Sequence, residues 1–101
     1  MNNVTFNIDV SDQPHERVFI AGDFSDWSYI EILDSNESIY SYTIELESNK
    51  VYEYKFLLAR PGRPLPEWEY KHESNPPFFN RILEVFEDDI NLPPSKFNIF
   101  N

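Results

Sequence analysis

The sequence predicts an all-β fold, an antiparallel sandwich of about seven short strands. Three observations carry that prediction. Apolar residues recur with a period of two, turn-forming clusters interrupt the chain at short intervals, and no segment combines three-and-four apolar spacing with a helix cap.

The elements follow in order. Val4, Phe6, Ile8 and Val10 alternate with polar residues, so the first strand has one apolar face. The cluster over residues 11–16 turns the chain, residues 17–21 supply a second strand, and residues 30–33 a short third. Tyr40, Tyr42, Ile44 and Leu46 then share a face, and beyond Glu47-Ser48-Asn49 so do Tyr52, Tyr54, Phe56 and Leu58. This pair reads as a hairpin. Residues 59–66 hold three prolines and Gly62 and read as a long loop, since proline donates no ladder hydrogen bond. A short strand around residues 67–70, a loop over 71–78 and a last strand over 80–86 complete the series. The tail, 87–101, is acidic, then broken by Pro93-Pro94, then aromatic. It reads either as an extra edge strand at residues 96–100 or as an arm that docks a protein partner. The predicted architecture is one immunoglobulin-like β-sandwich module over 1–86 followed by that tail.

Composition narrows the function. The 101 residues are 41% hydrophobic and 17% aromatic, enough for one modest core. A formal net charge of −10 repels phosphate backbones and anionic lipid, so neither nucleic acid nor membrane is expected as a partner. A neutral ligand carries no such penalty. There is no cysteine, hence no disulfide framework and no thiolate metal site, and neither a metal nor a cofactor is expected. The first ten residues lack a basic and apolar leader pattern, which reads as cytoplasmic, or as extracellular if the domain comes from a larger secreted protein.

The catalytic inventory is thin. His15 and His72 each fall in a loop with no identifiable nucleophile beside them. Glu67 and Glu69 flank Trp68 and share a strand face roughly 6–7 Å apart, which is the one arrangement that suggests a hydrolytic carboxylate pair. The run Glu87-Asp88-Asp89 lacks the alternating ligands and turn glycine of a calcium loop. The informative residues are aromatic. Trp27 ends the turn-rich Gly22-Asp23-Phe24-Ser25-Asp26, and Trp68 stands between proline-rich loops. Each either caps the core or keeps a ring face open. Lys55 alternates with Tyr54 and Phe56, so Lys55 and Glu53 point away from the core, where the lysine either donates to a ligand or is simply solvated.

The stretches "VFIAGDFSDW", "YEYKF", "EWE" and "NR", in that order, resemble the starch-binding modules of carbohydrate-binding module family 20 and the glycogen-binding modules of family 48. The resemblance spans most of the chain, from about Val4 to Val85. It implies an immunoglobulin-like sandwich that binds α-1,4-linked glucan without cleaving it. By motif, the implied carbohydrate-binding residues are Trp27, Lys55, Trp68 and Asn80, with Glu69 as a supporting acceptor. The segment between Trp68 and Asn80 is longer than in typical starch-binding modules, so Asn75 competes with Asn80. Tyr40 and Glu53 resemble parts of a second site, but no loop tyrosine precedes "VFIAG", where Pro14-His15 stands instead, so one site is expected. The alternative function is a protein-interaction domain of the same fold that binds no sugar.

Overall fold

The computed structural model describes residues 1–70 and 79–100. Among these, ten strands form two five-stranded sheets: β1 (Asn2–Asp9), β2 (Arg17–Gly22), β3 (Ile30–Glu31), β4 (Asp34–Asn36), β5 (Ile39–Leu46), β6 (Lys50–Ala59), β7 (Glu67–Trp68), β8 (Arg81–Val85), β9 (Ile90–Asn91) and β10 (Ser95–Lys96). The first sheet runs β10-β1-β5-β4, with β9 also on β1. The second runs β3-β2-β6-β7, with β8 also on β6. The predicted sandwich is what forms, with five of its ten strands only two or three residues long.

Alternation places the core as expected. Val4, Phe6, Ile8 and Val10 from β1 and its continuation meet Tyr52, Tyr54, Phe56 and Leu58 of β6 across the interior, and all eight are buried. Such a face-to-face layer excludes water from both apolar sets at once, which is the main free-energy gain of a sandwich.

The expected hairpin does not form. β5 pairs with β1 and β4, whereas β6 pairs with β2, β7 and β8. The Glu47-Ser48-Asn49 connection carries the chain from one sheet to the other, with Asn49 in the left-handed region at φ 58°. Tyr52 pins this arch, its phenol oxygen accepting from the Glu47 N–H at 3.0 Å. The physical reason lies in the side chains: the apolar faces of the two strands are buried against each other across the core, which two neighbours in one sheet cannot achieve.

The tail also differs from expectation. β9 and β10 both pair parallel with β1, whereas the other strand pairs among the described residues are antiparallel, and the edge strand β10 begins at Ser95 and overlaps the expected 96–100 only at Lys96. Phe97 is 2% exposed and belongs to the core, so residues 90–97 are built into the sandwich and do not form a free arm. The acidic run joins the same scaffold: the Asp89 carboxylate accepts from the Asn3 N–H at 2.8 Å, and Asn2 donates to the carbonyls of Phe86 and Asp88.

Candidate functional site

The outer face of the second sheet carries an anomaly for a half-buried strand pair. Val18-Phe19-Ile20-Ala21 and Phe56-Leu57-Leu58 are continuous apolar runs, the pattern of strands covered on both faces. Register explains it. Phe19 lies opposite Leu57, which lies opposite Trp68, forming one outward row across β2, β6 and β7. Phe19, Ala21 and Leu57 are buried there beneath Trp27, Ala59 and Trp68. This second apolar cluster is a floor for aromatic side chains, and its signal in the sequence is the failure of alternation.

Trp27 reaches that floor through an unusual turn. After β2, a 3-10 turn spans Asp23–Ser25, and Asp26 and Trp27 follow at φ 52° and 61°, both left-handed. A bulky residue in that region is strained by about 1–3 kcal/mol, so the surroundings must hold it there. They do so with a Trp27 N–H bond to the Gly22 carbonyl at 2.9 Å and an indole N–H bond to Asp23 Oδ1 at 3.2 Å. Asp23 Oδ2 in turn accepts from the backbone N–H of Glu53 at 2.7 Å, tying the turn to β6. Gly22 permits the close approach, because a Cβ there would lie 2.6 Å from the Glu53 carbonyl oxygen.

The outcome is a pair of indoles with ring centroids 6.2 Å apart and planes tilted by 43°. Both are partly exposed. Trp27 and Trp68 are therefore neither buried core caps nor isolated surface residues; they form one two-ring platform, 41 positions apart in sequence.

Lys55 lies on this face, opposite Ala21, as alternation predicts. It is less exposed than an outward lysine was expected to be, at 6%. Burial lowers the pKa of its ammonium below the ordinary 10.5, with Glu69 opposing that shift. Asn80 is exposed just before β8 and donates to Glu53 Oε1 at 3.2 Å. Glu53 thus stands on the platform side, beside Asn80 and Asp23. Tyr40 is in the other sheet, edge-to-face with His15 at 5.6 Å, so the structure does not bring Tyr40 and Glu53 together. Asn75 and His72 lie outside the described residues.

Glu69 requires a correction. Its side chain is 0% exposed and sits on the inner side of β7, where no sugar reaches it. Oε1 accepts from the Phe56 N–H and Arg81 Nε, each at 2.9 Å, and Oε2 accepts from Arg81 Nη2 at 2.7 Å and the Asn98 N–H at 2.9 Å. Four donors saturate a carboxylate and offset the cost of burying it. The same geometry removes the carboxylate-pair reading, since Glu67 is ion-paired to Arg60 and Glu69 to Arg81.

A separate groove of about 440 Å³ lies between β8 and the tail, lined by Phe79, Arg81, Pro93 and Phe100 among others. Among the described platform residues only Asn80 borders it. The aromatic pair itself is an open face, suited to a ligand that extends beyond the protein.

No curated protein matches the sequence. The family model for the starch binding domain matches residues 1–86, most of the chain. With its all-β sandwich, the chain belongs to the starch binding domain family.

Proposed function

We propose that this domain binds α-1,4-linked glucan on the outer face of β2, β6 and β7, stacking sugar rings on Trp27 and Trp68. The observation that carries the reading is the tilted indole pair over an apolar floor. Glucose has faces of C–H bonds that lie against an indole, and two rings set at an angle follow the curvature of an α-1,4 chain. The ligand is neutral, which suits a strongly acidic domain.

Hydroxyl groups at the sugar rim need donors and acceptors. Lys55, a little-exposed residue on this face, donates to the sugar from its ammonium as a charge-assisted hydrogen bond. Asn80 offers an amide that both donates and accepts, with Asn75 as the competing candidate. Such open sites bind on the order of micromolar to millimolar, about −4 to −8 kcal/mol. One site is expected, with Glu53 supporting Asn80. Titration of maltoheptaose against tryptophan fluorescence tests the reading: a saturable quench or shift supports it, and an unchanged spectrum at millimolar sugar contradicts it.

A further inference from the structure

The motifs account for two aromatic rings on this face, but the structure has a third. Tyr29 follows Trp27 by two residues and lies edge-to-face with Trp68, centroids 5.4 Å apart and planes at 78°. Its ring also lies 6.1 Å from Phe19, the floor residue at the far end of the row that Trp68 begins. Trp68 is therefore in contact with a ring on either hand, Trp27 tilted at 43° and Tyr29 nearly upright at 78°.

Position along the sheet separates the two neighbours. Trp27 is tied through Asp23 to Glu53, so it belongs to the end of the face where Lys55 and Asn80 stand. Tyr29 instead touches Phe19, two residues along β2 from Ala21, the partner of Lys55, and the Arg17 guanidinium lies 5.0 Å from that Phe19 ring. Tyr29 is also 50% exposed, so an amphipathic side chain with a hydroxyl tip is open to solvent.

We infer that Tyr29 is a third ligand-contacting ring, an upright wall that receives the next glucose unit of a glucan already stacked on Trp27 and Trp68 and hydrogen-bonds it through the phenol. This rests on the function proposed above. The wall makes the site selective for chain length, because a two-unit sugar occupies the indoles alone whereas a longer one also meets Tyr29.

The test is calorimetric titration of maltose, maltotriose, maltotetraose and maltoheptaose into wild type, Tyr29→Ala and Tyr29→Phe. The expected result is that Tyr29→Ala leaves maltose affinity within about 2-fold and weakens the longer sugars by about 5- to 10-fold, the scale of one lost ring contact. Tyr29→Phe should weaken the longer sugars by about 2- to 5-fold, the scale of one neutral hydrogen bond. Equal weakening of short and long sugars by Tyr29→Ala would reduce Tyr29 to a support for Trp68 and overturn the inference, as would no change at any length. A wild-type domain that binds none of the four overturns the glucan reading itself, whereas binding by wild type with a flat Tyr29→Ala series overturns only the third ring.

Discussion

Arg81 forks onto Glu69 through Nε and Nη2, and this buried ion pair joins β8 to the residue that follows Trp68. Arg81 also donates to the carbonyls of Lys96 and Ile99 and lies over the Phe100 ring, so the tail is fastened to the same pair. Glu69 meanwhile bonds both backbone groups of Phe56, its own N–H to the carbonyl and its carboxylate to the N–H. It therefore continues the β6 pairing past Trp68 and fixes where that indole leaves the sheet.

Removing the charge should be costly. Glu69→Gln puts an amide N–H where a donor already points and leaves Arg81 buried without its counter-ion, a change of about 3–5 kcal/mol. Thermal denaturation followed by circular dichroism should show Tm falling by more than about 10 °C. A Tm within about 2 °C of wild type would show that the pair contributes little.

Asp23 holds Trp27 and β6 with one carboxylate. Asp23→Ala frees a ring kept in a strained backbone conformation, so the indole pair loses its fixed tilt. Affinity for maltoheptaose should fall about 3- to 10-fold at a stability cost of about 1–2 kcal/mol. Unaltered affinity in a titration would mean that Trp27 is oriented without Asp23.

Gly22 is constrained by space and not by its dihedral angles, since its backbone is extended. An added Cβ would meet the Glu53 carbonyl at 2.6 Å and Tyr54 Cβ at 2.8 Å, so β2 must move away from β6. Gly22→Ala should lower stability by about 1–3 kcal/mol, read from the urea midpoint. An unshifted midpoint would show that the sheet absorbs the methyl group.

Glucan affinity should depend on alkaline pH. The Lys55 ammonium loses its proton below the ordinary lysine value of 10.5, so its hydrogen bond to sugar weakens before that point. In the same window the unfolded chain holds more protons at this residue than the folded one, so the Lys55 contribution to stability rises with pH, whereas Tyr54, whose pKa burial raises above 10.0, contributes in the opposite direction, and circular dichroism at each pH separates loss of affinity from unfolding. Calorimetric affinity should be flat near neutral pH and fall on approach to the ordinary lysine value of 10.5. Lys55→Met should bind more weakly and flatten that profile. Equal wild-type affinity at both ends would remove the ammonium from the site.

Alternation was a sound guide to which side chains face inward, because burial on one face imposes period two whatever the partner strand. It was silent on partners. Tyr40 to Leu46 and Tyr52 to Leu58 read equally well as sheet neighbours or as opposite walls of the core, and only the packing of one face on the other distinguishes them. The burial of Glu69 is illegible in the sequence for a related reason: it depends on Arg81 and on the Asn98 N–H, both distant in sequence. β9 and β10 are two residues long and carry no periodicity to detect. The tryptophans and the lysine were legible as a motif, whereas Tyr29 and the Phe19 floor were not. Their only trace is an apolar run where a solvated face should alternate.

Trp27 and Trp68 are proposed to act together as one glucan platform. The most direct test of that role is calorimetric titration of maltoheptaose into wild type, Trp27→Ala and Trp68→Ala, with circular dichroism confirming the fold of each. Wild type should bind saturably in the micromolar to millimolar range and each single mutant should lose at least about 10-fold in affinity. Folded alanine mutants that bind as tightly as wild type would contradict it.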